Sequence, residues 1–104
     1  MRAFVNRLPR SISNYEDIRQ LVRSSGSVAA NYLEAQEGLS RKDFFYRIKV
    51  CRKESCEFGL WVRLVDLGPE ANVASDRTRL VAEADELKLI FASIAGKDDT
   101  NDAA

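Results

Sequence analysis

Residues 40–67 read SRKDFFYRIKVCRKESCEFGLWVRLVDL, and the spacing of their apolar positions indicates the fold class. Seven small or apolar residues recur in alternating steps of four and three, which places them along one face of a single long helix. They are Phe44, Ile48, Cys51, Ser55, Phe58, Val62 and Val65. This unbroken heptad seam is typical of near-antiparallel helix packing, so the segment predicts an all-α bundle.

A second apolar row on the same helix lies about 100° or more around the helix from the seam. It comprises Tyr46, Val50, Trp61 and Leu64. The row indicates either a subunit interface or one wide apolar face that meets two neighbouring helices, and the pattern alone does not separate the two. The seam spacing recurs near the C-terminus at Leu80, Ala84, Leu87, Phe91 and Ile94. We expect a core of Leu21, Val28, Tyr32, Phe44, Ile48, Cys51, Phe58, Val62, Leu80, Leu87 and Phe91.

Proline and glycine residues divide the chain into helical segments, and nowhere do apolar residues alternate at the period of a strand. Three long helices are predicted near 14–37, 40–67 and 75–95, and Met1–Leu8 has room for only two turns before Pro9. The fold class that follows is an up-down antiparallel bundle of the four-helix type with a short or truncated first helix. We expect residues 1–96 to form the helical domain and residues 97–104 to form a polar, frayed tail.

Local signals support these boundaries. Ser13 and Ser40 each stand three residues before an acidic side chain, which is the arrangement of a helix N-cap. Gly38 is expected to end the second segment in the left-handed conformation. Four small residues lie on adjoining turns of that segment and predict close approach of a neighbouring helix: Ser25, Gly26, Ala29 and Ala30.

The composition argues against catalysis. The chain has no histidine, which removes the commonest general base, the triads that depend on it and most zinc sites. Cys51 and Cys56 point about 140° apart on a helix, so they cannot pair and are expected to be reduced thiols. No long apolar run or secretory signal is present, so we expect a cytoplasmic, non-enzymatic protein that needs no cofactor and no metal.

A basic arc on the middle helix is the first candidate binding site. Its five side chains fall within about 120° of the helix surface, with Phe45 among them. They are Arg41, Lys42, Lys49, Arg52 and Lys53. Such an arc can follow nucleic-acid phosphates, whereas the alternative is an ordinary solvated helix face. Residues 69–104 are acidic, so the net charge of zero hides a basic middle.

A set of polar residues among small and apolar neighbours is the second candidate site. Asn31 and Glu34 lie one turn apart in the second segment, and Arg23 and Glu54 are among the partners available to them. A buried amide or carboxylate must find hydrogen-bond partners. We interpret Arg23, Asn31, Glu34 and Glu54 as a structural network that fixes helix register rather than as a ligand site.

The chain resembles a known bacterial family over most of residues 2–95. The resemblance is carried by RSSGSVAANYLEA at 23–35, SRKDF at 40–44, IKVCRKE at 48–54 and Trp61, and more loosely by EADEL at 83–87. The family is that of the four-helix bundle proteins first noticed as products of intervening sequences in large-subunit ribosomal RNA genes. The resemblance implies an antiparallel four-helix bundle, a homopentamer with a central channel and no known catalytic activity.

Two functions from different classes are therefore expected. Some members of the family are accessory proteins of diversity-generating retroelements, which bind nucleic acid together with a reverse transcriptase, so the resemblance implies binding of structured RNA or DNA. This chain differs from those members in its short first helix and its neutral net charge. The alternative is a scaffold or adaptor that binds a protein encoded nearby and does not bind nucleic acid.

Overall fold

The computed structural model describes residues 1–99, which form four helices and contain no strand. The short helix α1 spans Arg2–Asn6, and three long helices follow: α2 (Ile12–Gln36), α3 (Arg41–Leu64) and α4 (Ala71–Ala95). The predicted all-α bundle with a short first helix is confirmed. The molecule is a rod of 53 × 22 × 20 Å. Within the described residues, none of the helices combines the length and apolarity needed to cross a bilayer.

Helix α3 lies in the middle of the bundle. It packs against α2 on one side and α4 on the other, and successive long helices run antiparallel. The backbones of α2 and α4 lie apart, and the two helices meet mainly through side chains such as Tyr32 and Phe91. A groove therefore runs between α2 and α4, in the place where a fourth long helix would complete the bundle.

The helix starts differ in part from the predicted ones. Helix α3 begins as expected, because the Ser40 hydroxyl accepts the backbone N–H of Asp43 at 3.0 Å. The prediction of Ser13 as the cap of α2 was wrong: Ser11 accepts the N–H of Asn14 at 3.3 Å, and the helix starts at Ile12. The Ile12 side chain is 89% exposed, so it does not belong to the buried apolar face of α2 from which the later start was predicted.

Burial also sets the other boundaries. Helix α4 begins at Ala71, a turn earlier than predicted, and has no side-chain cap; its first turn brings Val73 fully into the core. Helix α3 ends at Leu64, earlier than predicted, because the chain becomes extended at Val65. The left-handed glycine is Gly68, with φ 72°, and not Gly38 as predicted.

The core forms two clusters along the rod. One contains α1 side chains together with Leu21, Phe58, Val62 and Leu80, and the other is built around Val28, Ile48, Cys51 and Phe91. The heptad seam of α3 is confirmed, since six of its seven residues are buried and Phe44 is half-buried. Leu87, also predicted as core, is half-buried.

The second apolar row of α3 does not enter the core as a unit. Trp61 packs against the first cluster and Val50 is half-buried, whereas Tyr46 and Leu64 are 60% and 53% exposed. The idea of one wide apolar face that meets two helices of the chain therefore fails for Tyr46 and Leu64.

Candidate functional site

Helix α1 fills one end of the groove between α2 and α4. Its apolar side chains Phe4 and Val5, with Leu8 just beyond the helix, are buried in the first core cluster. On the α4 side, Arg7 donates to the Asp76 carboxylate at 2.6 Å. Because α1 has only five residues, it closes only this end.

The rest of the groove is open and apolar. It encloses about 450 Å³, and its lining contains no charged side chain. The lining residues are Ser25, Val28, Ala29, Tyr32, Phe58, Leu87, Ile90, Phe91 and Ile94. This section of the groove is therefore an apolar cleft between two long helices of the same chain.

Tyr32 and Ile90 stand on opposite walls of the open section. Tyr32 was predicted as core, and this was wrong, because the side chain is 43% exposed. The centroid of its ring lies 6.1 Å from the ring centroid of Phe91. The Tyr32 side chain also lines the groove. Ile90 is 47% exposed. Tyr32 follows the core periodicity of α2, whereas Ile90 lies beside the seam residue Phe91 of α4, and both are exposed because no helix of residues 1–99 covers them.

A second hollow adjoins the open section on the side of α1. It is lined by Met1, by Arg2, Val5 and Asn6 of α1, and by Val22, Ser25 and Gly26 of α2, and none of the described α4 residues contributes to it. Ser25 lines both spaces, so the hollow and the open section are neighbours along α2.

Three of the four small residues of α2, Ser25, Gly26 and Ala29, line the open section or the adjoining hollow, and Ala30 lines neither. A Cβ atom added to Gly26 would have nothing within 4 Å, and Ala29 and Ala30 are exposed. The expected close approach of a neighbouring helix is thus absent at these residues. It occurs between α3 and α4, where a Cβ at Gly59 would lie 3.3 Å from that of Ala84.

The basic arc of α3 is partly neutralised by residues that follow α4. Lys49 donates to Asp98 at 2.6 Å, and Arg41 donates to Asp99 at 2.9 Å. The side chain of Asp98 is only 5% exposed, so this contact is an integral part of the fold. Both acids belong to the segment expected to fray, and the remaining residues of that segment, 100–104, lie outside the described part of the chain.

The remaining members of the arc, Lys42, Arg52 and Lys53, are exposed and form no ion pair within residues 1–99. Phe45, which the sequence places among them, is buried, and the Arg41 guanidinium lies over its ring at 5.0 Å. Three free cations on one helix face remain available to an anionic ligand.

Three of the four residues proposed as one polar network, Arg23, Asn31 and Glu54, belong to two separate contacts. Arg23 bridges Glu54 at 3.2 Å and Glu57 at 2.9 Å, which ties α2 to α3. Asn31 instead accepts a hydrogen bond from Arg47 at 3.0 Å. Glu34 is exposed and takes no part in either contact.

The thiol groups of Cys51 and Cys56 are not paired with each other, as expected from their spacing. Cys51 is buried against the carbonyl oxygen of Val28, and burial raises the pKa of its thiol, so it stays protonated and unreactive. Cys56 is exposed and also free. Within residues 1–99 no group of three or more potential metal ligands comes together.

No protein-family model, curated protein or solved structure matches this chain. The open groove is a candidate site that sequence reasoning did not locate. Its signals were present in the stunted first helix and in the small residues of α2. They could not be combined into a site because only the packing order of α2, α3 and α4 shows which two helices are left apart.

Proposed function

We propose that this chain is a non-enzymatic adaptor that binds an amphipathic α-helix of a partner protein in the open groove between α2 and α4. The observation that carries the proposal is the open apolar section lined by Tyr32 on one wall and Ile90 on the other. An amphipathic helix that lays its apolar face into a hydrophobic groove is a common mode of protein recognition.

A helix fits this groove better than other ligands because α1 already packs as a helix between α2 and α4 at the closed end. The open section and the adjoining hollow extend along α2 from Val22 to Tyr32 and along α4 from Leu87 to Ile94. A helix of about three turns has the length to fill it. Such a helix would complete a four-helix bundle and cover the exposed faces of Tyr32, Ile90 and Ala29.

The small residues of α2 support the same occupant. Ser25, Gly26 and Ala29 leave the wall of the groove without bulky side chains, so a partner helix can approach α2 closely. A small organic ligand would require polar groups converging on the cavity, and the open section offers only the hydroxyl groups of Ser25 and Tyr32.

The experiment is a binding titration with two matched variants. The probe is a fluorescein-labelled, hydrocarbon-stapled peptide of about 14 residues, with leucine and alanine on one face and glutamine on the other. We expect a dissociation constant on the order of 10 µM, weakened at least about tenfold by Ile90→Asn. Leu89→Asn is the control, because Leu89 is equally aliphatic and 66% exposed but does not line the groove.

Three results would contradict the adaptor proposal. One is failure of the peptide to bind at about 1 mM. Another is equal loss of affinity in the Ile90→Asn and Leu89→Asn variants. The third is concentration-dependent self-association that Ile90→Asn abolishes, because a second copy of the chain would then be the occupant of the groove.

Nucleic-acid binding is the second candidate function, and the three unpaired cations Lys42, Arg52 and Lys53 support it. We rank it below helix binding because Arg41 and Lys49 are neutralised by carboxylates of the same chain. A reverse transcriptase, which the family resemblance implies as a partner, is compatible with either function.

Assembly and family membership complete the proposal. The order of the three long antiparallel helices supports membership of the intervening-sequence family of four-helix bundle proteins, which implies a homopentamer, whereas the short α1 departs from the family pattern. Tyr46, Leu60 and Leu64 are 60%, 46% and 53% exposed along the outer face of α3, so we assign the contact between copies to this face. Two unpaired cysteines suit a reducing cytoplasm.

A further inference from the structure

The α4 rim of the groove carries carboxylates outside the apolar lining. Asp76, Glu83 and Ile90 are spaced seven residues apart and therefore share one face of α4. Asp76 contacts Arg7 of the α1 segment, and Ile90 lines the open section, so this face borders the groove. Glu83 lies on this face. Glu86 lies one turn further along and about 60° around the helix from Glu83, on the side away from the seam.

The α1 segment shows how this wall pairs with a helix. Arg7 reaches Asp76 at 2.6 Å and Glu70 at 4.0 Å, while the apolar side chains of α1 enter the core. The occupant of the closed end is thus apolar toward the core and basic toward α4. Glu83 and Glu86 are exposed and form no ion pair within the described residues, so they lack the partner that Asp76 has.

The opposite wall of the groove is uncharged. From α2 it presents Val22, Ser25, Gly26, Ala29 and Tyr32. Two basic side chains of this part of the molecule are Arg79 and Arg2. Arg79 is bound to Asp76 at 3.1 Å, and Arg2 lines the hollow beside α2. The field across the groove is therefore asymmetric, with its negative side along α4.

We infer that the partner helix is basic along the flank that faces α4, where its lysine or arginine side chains pair with Glu83 and Glu86. This inference rests on the proposed function and specifies the class of helix that the groove selects. Rim charges of this kind govern the choice of partner and the association rate more than the total affinity, which the apolar face supplies.

Two stapled peptides test the inference, with the same apolar face and with either lysine or glutamate along both flanks. At low salt, we expect the lysine peptide to bind at least about fivefold more tightly than the glutamate peptide, and the preference to shrink at high salt. The double variant Glu83→Lys/Glu86→Lys should reverse the preference. The matched control is Glu34→Lys/Glu37→Lys, which changes the net charge equally at exposed positions of α2 that lie at least about 120° around the helix from Ser25 and Tyr32 and so face away from the groove.

The outcomes separate this inference from the adaptor proposal. Reversal by Glu83→Lys/Glu86→Lys but not by the control supports the basic flank. Equal binding of both peptides, with loss of affinity in Ile90→Asn, overturns the basic flank and leaves the helix-binding groove standing. Equal effects of the two charge-reversed variants also overturn it, because they would reflect net charge alone. Failure of both peptides to bind overturns the adaptor proposal itself.

Discussion

The side chain of Asn14 and the backbone of Asp66 exchange two hydrogen bonds across one end of the bundle. The Asn14 amide donates to the carbonyl oxygen of Asp66 at 3.1 Å, and the N–H of Asp66 donates to Asn14 Oδ1 at 2.7 Å. The same amide also donates to the carbonyl oxygen of Pro9 at 2.7 Å. One side chain, 2% exposed, therefore joins the α1–α2 connection to the segment that follows α3 and holds α1 in the groove.

Replacing Asn14 should destabilise the whole bundle. In Asn14→Ala, the backbone groups of Pro9 and Asp66 lose three hydrogen bonds to a buried side chain, so we expect a loss of about 2–3 kcal/mol in the free energy of unfolding. Urea denaturation followed by circular dichroism measures it. Asn72→Ala is the control, because Asn72 is an exposed asparagine of α4. A difference of less than about 0.5 kcal/mol between the variants would show that the Asn14 contacts do not hold this end together.

Arg23 should matter more to stability than an exposed arginine of the same helix. Its partner Glu54 has a side chain that is 10% exposed, so Arg23→Ala leaves a nearly buried carboxylate without its cation. Arg23 itself is 46% exposed, and solvent screening limits the expected loss to about 1–2 kcal/mol. Arg19→Ala, which removes only the exposed pair with Glu16, should cost less than about 0.5 kcal/mol in the same urea experiment. Equal losses would argue against the structural role of the Arg23 contact.

Nucleic-acid binding, if it occurs, should be weak and strongly dependent on salt. Fluorescence-anisotropy titrations of structured RNA and of DNA should show affinity that falls steeply from low to physiological salt, with preference for structure over sequence. Reversing Lys42, Arg52 and Lys53 to glutamate should abolish it without changing helicity, because these three side chains are exposed and form no ion pair within residues 1–99. Asp98→Asn/Asp99→Asn should instead strengthen it severalfold, because Lys49 and Arg41 lose their carboxylate partners. Absence of binding at low salt would exclude this function.

Assembly of several copies should depend on the outer face of α3. Native mass spectrometry at micromolar concentration is expected to show an oligomer, with five subunits as the family resemblance implies. Leu60→Lys/Leu64→Lys should reduce it to monomer, because two exposed apolar side chains of the contact become charged. Ile12→Lys is the control, since Ile12 is 89% exposed but lies at the first residue of α2. A monomer from the unmodified chain would contradict this assignment.

The helices could be predicted because their apolar spacing is a local property of the chain. The seam from Ile48 to Val65 is buried as the spacing indicates. The helix boundaries were harder to predict from the sequence. Val73 belongs to α4 because it contacts the core, and Ser11 caps α2 beside an exposed Ile12. Such tertiary contacts override the local capping signals that placed the predicted starts.

The candidate sites could be predicted only in part. The basic arc is a local feature of α3, but its neutralisation by Asp98 and Asp99 depends on where α4 ends relative to α3. Tyr32 has the periodicity of a core residue, and its exposure follows from the shortness of α1. Periodicity indicates which face of a helix is apolar but not which helix, if any, covers that face.

The most direct test of the helix-binding groove is a chemical-shift map of the isotope-labelled protein during titration with the unlabelled stapled glutamine peptide. The helix-binding account predicts that the largest backbone amide shifts fall on Ser25, Ala29 and Tyr32 of α2 and on Ile90 and Ile94 of α4. It also predicts that Tyr46, Leu60 and Leu64 on the outer face of α3 change little. Shifts concentrated on that outer face, or on the α1 segment with none at Ala29 and Ile90, would contradict the central claim.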